Sequence, residues 1–109
     1  MDTIFEIKQR AEGVELGQLE PLTTLLVFTW HSTYRLTVTQ GSEVIVQGGA
    51  YFPEPTRAYV DGASAGGGPL MAGWIGVGLS VEFRANGKRI LTSPVVAIAT
   101  EEPVNSAVS

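Results

Sequence analysis

The stretch Gly73-Trp74-Ile75-Gly76-Val77-Gly78-Leu79-Ser80-Val81-Glu82-Phe83-Arg84 decides how the rest of the chain reads. With the period of two that a strand imposes, Ile75, Val77, Leu79, Val81 and Phe83 share one face, and Trp74, Gly76, Gly78, Ser80, Glu82 and Arg84 share the other. One long strand with an apolar side is expected. Its second side is unusual, because it begins with a tryptophan, passes over two residues without side chains and becomes charged only at the far end.

Asn86-Gly87 follows directly and is the strongest turn signal in the chain, predicting a type I′ hairpin with Ala85 opposite Lys88 and Phe83 opposite Ile90. Ser93-Pro94 then interrupts, and residues 95–99 give a last strand. Upstream, residues 25–30 and 33–39 are rich in β-branched and aromatic side chains and only His31-Ser32 lies between them. A two-residue loop there sets Val27 opposite Leu36 and Leu25 opposite Val38, with positive φ at His31. A three-residue loop at Gln40-Gly41-Ser42 sets Val38 opposite Val44 and Leu36 opposite Val46. Residues 50–56, with Pro53 and Pro55, read as an extended loop, 57–62 as a short edge strand, and 63–69 as a flexible Gly-rich crossing.

The expected fold is therefore all-β: an antiparallel meander of six or seven short strands forming a small, partly closed β-barrel over residues 16–100. Residues 1–15 are expected to form an arm or a short helix, since Asp2 or Thr3 can cap, Ile4, Ile7 and Ala11 recur at helical spacing, and Gly13 follows as a stop; 4–7 also suits a short strand. Residues 101–109 are expected to be a disordered tail.

At 109 residues, with an apolar share of 44% and a charged share of 17%, the chain suits one folded domain with one core. Without cysteine there is no disulfide, thiolate nucleophile or cysteine metal site. A net charge of -4 and seven scattered Lys and Arg argue against nucleic acid. The N-terminal residues show no basic segment leading into an apolar run, and no stretch approaches a membrane span, so a cytoplasmic location is expected.

Four strings, Ser32-Thr33-Tyr34-Arg35, Val46-Gln47-Gly48-Gly49 continuing through Tyr51-Phe52-Pro53-Glu54-Pro55-Thr56, Gly73 to Gly78, and Thr92-Ser93-Pro94-Val95, resemble those of a group of short bacterial proteins of uncharacterised function. The resemblance spans residues 19–98. It implies a recurring unit joining the Gly-Gly-x-Tyr-Phe-Pro loop to the Gly-Trp-Ile-Gly stretch, and no activity, cofactor or catalytic residue.

Candidate chemistry is sparse. His31 is the only histidine, so a metal site would draw every other protein ligand from carboxylates, and none shows calcium-loop spacing; no metal and no cofactor are expected. No Gly-x-Ser-x-Gly elbow exists. Glu54, Asp61 and Glu82 lie near aromatics and could pair as in a glycosidase, although surface carboxylates are ordinarily just solvated. Neither glycine-rich run precedes a helix that could hold a phosphate. Tyr51, Phe52, Tyr59 and Trp74 could offer a stacking platform to a single strand, against the charge balance.

The reading preferred on sequence is a non-catalytic module that binds a protein partner or self-associates into a homo-oligomer. Its surface would comprise Trp74, the bare backbone at Gly76 and Gly78, the Tyr51-Phe52-Pro53-Glu54 loop and Tyr59. The bland alternative has Trp74 covered by Phe52 or the N-terminal segment, with the glycines making room for its ring. A small-ligand or oligosaccharide binder or hydrolase, and a single-strand nucleic-acid binder, are the alternatives from other classes.

Overall fold

A computed structural model describes the backbone of residues 4–104 and the side chains of residues 11–101. Over these residues eleven strands follow one another: β1 (Ile4–Ala11), β2 (Gly13–Glu15), β3 (Thr24–Thr29), β4 (Thr33–Gln40), β5 (Glu43–Gly48), β6 (Phe52–Ser64), β7 (Met71–Ala72), β8 (Trp74–Gly76), β9 (Ser80–Ala85), β10 (Lys88–Leu91) and β11 (Val95–Val104). A 3-10 turn, Leu16–Gln18, lies between β2 and β3. The large sheet runs in the order β1-β11-β3-β4-β5-β6-β9-β10, with β7 added beside β6, and β2 pairs with β8 in a separate two-stranded sheet.

The sheet is open, which corrects the expected partly closed barrel. Its two end strands, β1 and β10, do not pair with each other. Closure would require β10 to find a partner, and β10 is only four residues long, with Lys88, Arg89 and Leu91 exposed. The apolar face is completed in another way: Leu16 and Ile75, from the segments around the small sheet, join the same buried cluster as Leu25, Val27, Leu36, Val38, Val44, Val46, Val60, Val81, Phe83 and Ile98. At its centre Phe52 meets Phe83 edge-on, with ring centroids 5.3 Å apart, and Tyr34 lies against both.

Two turns take the expected register. Asn86 and Gly87 both have positive φ, and Ala85 faces Lys88 and Phe83 faces Ile90. Val38 faces Val44 and Leu36 faces Val46, but Gln40 faces Glu43, so the loop is Gly41-Ser42 with a bulge between Val38 and Gln40 instead of the three residues expected. The β3–β4 hairpin differs. Val27 faces Tyr34 and Leu25 faces Leu36, because the turn is centred on Trp30-His31 and His31 has no positive φ. Thr29 and Ser32 set this turn: the Thr29 N–H donates to Ser32 O at 2.8 Å, and the Ser32 N–H donates to Thr29 Oγ1 at 3.1 Å. The offset relative to the expected pairing is two residues, so the same side chains still face the core.

Four further expectations are corrected. The stretch 73–84 is two strands, β8 and β9, separated by a turn in which Gly78 has φ +90 and the Leu79 N–H donates to Gly76 O at 3.1 Å. Alternation concealed the break because Val77 and Leu79, although in the turn, remain half-buried against the core side. Residues 52–64 form one strand of 13 residues rather than a loop and a short edge strand. The prolines are tolerated because β6 has β5 on one side over this part and meets β9 only from Tyr59 onward, so no ladder bond is lost on the free side. The N-terminal segment is neither helix nor loose arm but takes the strand that 4–7 also suited, lengthened to β1 over Ile4–Ala11 and paired antiparallel with β11. Residues 101–104 continue β11 instead of starting a tail; Glu101 faces Thr24 and its carboxylate lies 2.8 Å from Arg35 Nη2. The remainder of the expected tail, 105–109, lies outside the described residues.

Candidate functional site

The residues singled out from sequence are dispersed over the fold. Phe52 is in the core, 1% exposed. Tyr51 lies in the turn just before it and is 68% exposed, and Pro53 and Glu54 follow on the exposed, partly unpaired length of β6. Trp74 sits on β8 opposite Glu15, half-buried, with its ring over the bare backbone of Gly13 and of Gly76: a Cβ at Gly76 would lie 2.6 Å from the indole Nε1. The glycines therefore make room for the ring. Gly78 has another role, the positive φ of the turn after β8.

Tyr59 belongs to a polar group on the solvent side of β6, β9 and β10. It faces Arg84 across the β6–β9 ladder, and the Arg84 guanidinium lies over its ring, 4.9 Å from the centroid. Asp61 fixes that guanidinium, accepting from Nη2 at 3.1 Å and from Nε at 3.3 Å. These hydrogen bonds and the charge attraction of Asp61 raise the pKa of Arg84 further above its ordinary value.

Glu82, on the same strand as Arg84, is 1% exposed, which no reading of the alternation anticipated. Its Oε1 accepts from Arg89 Nε at 2.7 Å, while Oε2 and the nearby Ser64 Oγ, both buried, have no hydrogen-bond partner among the described residues. Asp61 and Glu82 are thus each held by an arginine, and Glu54 is exposed elsewhere on β6. That arrangement does not set two carboxylates facing one another across a cleft. Among the described residues no three of His, Cys, Asp and Glu group as metal ligands.

The most exposed tryptophan is not the one that the alternation singles out. Trp30 is 73% exposed at the tip of the β3–β4 turn. That turn is braced twice, by Thr29 and Ser32 within itself and by the segment before β11: the Trp30 N–H donates to Pro94 O at 3.2 Å and the His31 N–H to Ser93 Oγ at 3.2 Å. Tyr51 is at the same end of the sheet, because Tyr34 faces Gly48 and Gly48 faces Phe52. Val96 is there too, exposed in the bulge between Val95, which faces Thr29, and Ala97, which faces Phe28. The signal available in the sequence was Thr29-Trp30-His31-Ser32 itself, a pair of hydroxyl residues bracketing a large aromatic.

Comparison with family models, with curated proteins and with solved structures found no match to this chain. Among the described residues no helix is long and apolar enough to cross a membrane.

Proposed function

We propose that this chain is a non-catalytic binding module that meets a protein partner, a second copy of itself being the simplest case, through the end of the sheet carrying Trp30, Tyr51 and Val96. The observation that carries the reading is the exposed indole on a turn whose backbone is already hydrogen-bonded in place. A large amphipathic ring on a rigid support loses little conformational entropy on contact, which is why tryptophan and tyrosine dominate the energetics of interfaces. Tyr51 and Val96 are further exposed apolar side chains at the same end. The dispersed placement of Trp74, Phe52 and Gly78 favours this end over the surface expected from sequence.

Sedimentation of the purified protein over a range of concentrations, beside Trp30→Ala, tests the simplest case. Association that weakens by about 2 kcal/mol or more in the variant supports it, that being the usual size of a hot-spot loss. For a partner other than itself, a photo-crosslinker at position 30 should capture a protein that the same crosslinker at the exposed Leu22 does not. A monomer with no position-specific capture, whose stability falls on Trp30→Ala, would overturn the reading.

A further inference from the structure

On the solvent side of β6 and β9, beside the Asn86-Gly87 turn, a shallow cavity of about 310 Å³ is lined by Arg57, Tyr59, Arg84, Ala85, Asn86 and Gly87. That volume is at the lower end of small-molecule sites. We propose that it binds the oxyanion group, phosphate or carboxylate, of a small ligand, with Arg57 supplying the free charge.

The lining contains donors and no carboxylate. Arg57 precedes Tyr59 by two residues on β6 and so projects to the same side of the strand. Among the described residues it has no ion-pair partner, in contrast to Arg84 and Arg89. Arg84 is held ready beside it. Asp61 engages Nε and Nη2, the Tyr59 ring supports the guanidinium plane, and Nη1 makes no hydrogen bond among the described residues. A planar fork held in place and a second, unpaired fork beside it suit bidentate recognition of an oxyanion.

Of the acidic groups on the surrounding strands, Glu54 alone has no side-chain partner among the described residues, and it lies three residues before Arg57 on β6, outside the lining. Glu43, which faces Tyr59 from β5, accepts from Thr39 Oγ1 at 2.9 Å. Asp61 is bound to Arg84, and Glu82 is buried with Arg89. In a chain of net charge -4, the cavity is thus lined without a carboxylate, and its two charged side chains are both guanidinium groups.

Titration of the full chain with inorganic phosphate and with phenyl phosphate, followed residue by residue in ¹H–¹⁵N correlation spectra at constant ionic strength, tests the proposal. Saturable shifts should concentrate at residues 57, 59 and 84–87. Arg57→Ala should weaken binding by about tenfold or more, with Arg57→Lys intermediate, because an ammonium keeps the charge without the fork. Trp30→Ala should bind as the parent does, which separates this site from the surface around Trp30, several strands away in the sheet. Tighter binding of phenyl phosphate would assign an organic ligand, and equal binding a free oxyanion. Shifts that fail to saturate, that scatter over the surface, or that persist unchanged in Arg57→Ala would overturn the proposal.

Discussion

The indole of Trp74 rests on Gly13 so closely that a Cβ at Gly13 would come within 2.0 Å of Cζ2. β2 and β8 are therefore joined by more than their short ladder: one strand supplies a ring and the other an absence of side chain that receives it. Gly13→Ala should force the ring aside and destabilise by about 1–3 kcal/mol, as overpacking does. Trp74→Ala should cost about 2 kcal/mol, less than for a fully buried ring, without changing the oligomeric state. The two costs should be non-additive, since Gly13→Ala has nothing to displace once the ring is gone. Thermal unfolding of the four proteins of the cycle, with sedimentation of Trp74→Ala, checks both parts.

Leu22 offers a stabilising change. It is an exposed residue with φ +72, in a turn closed by the Thr23 N–H on Glu20 O at 3.1 Å. A branched side chain in the left-handed region costs about 1–2 kcal/mol, and Leu22 buries little in return. Leu22→Gly should raise stability by up to about 1 kcal/mol, part of the gain being lost to the greater freedom of glycine in the unfolded chain. Denaturant unfolding that places Leu22→Gly below the parent would contradict this.

At the Asn86-Gly87 turn the residue already suits the backbone. Gly87 has φ +74 and nothing lies within 4 Å of the place a Cβ would occupy. Substitution there meets backbone strain alone, so Gly87→Val should destabilise by more than about 1 kcal/mol, with Gly87→Asn affected less because asparagine tolerates the left-handed region. Equilibrium unfolding of the two variants gives the comparison; a neutral Gly87→Val would be incompatible with this turn.

The Glu82–Arg89 pair is asymmetric, its carboxylate buried and its guanidinium largely exposed. Arg89→Ala should cost about 2 kcal/mol, below the range for a pair buried at both ends, because it strands a charged group inside. Adding Glu82→Gln to that variant should recover part of the loss, since a neutral amide is cheaper to bury than an unpaired carboxylate. Chemical denaturation of the parent, the single variant and the double variant tests the order; a double variant less stable than Arg89→Ala would refute it.

What the sequence determined by itself was the side of each strand that faces inward. Period-two alternation identified Val27, Leu36, Val38, Val44, Val46, Val81, Phe83 and Ile90 as core, and all are buried. Asn86-Gly87 and Gly41 fixed their registers because positive φ is a local demand that few residues meet. Even the β3–β4 hairpin, centred one residue away from the expected place, kept its faces, since an offset of two between strands preserves alternation.

Tertiary structure decided which strands lie side by side where no short turn joins them. Alternation reports a face and says nothing of neighbours, so it could not show that β6 continues through two prolines, that 73–84 breaks at Gly78, or that Ile4–Ala11 finds β11 as its partner. It could not show that Glu82 is buried, because burial on the second face of β9 depends on distant segments. Nor could it show that the sheet stays open, because closure is a matter of whether the two end strands meet. The same limit separates the two tryptophans. Trp74 is withdrawn by a glycine 61 positions away in sequence, whereas Trp30 is held out by hydrogen bonds from its own turn and from Ser93 and Pro94. Long-range pairing brings such groups together, and no window of local sequence contains them.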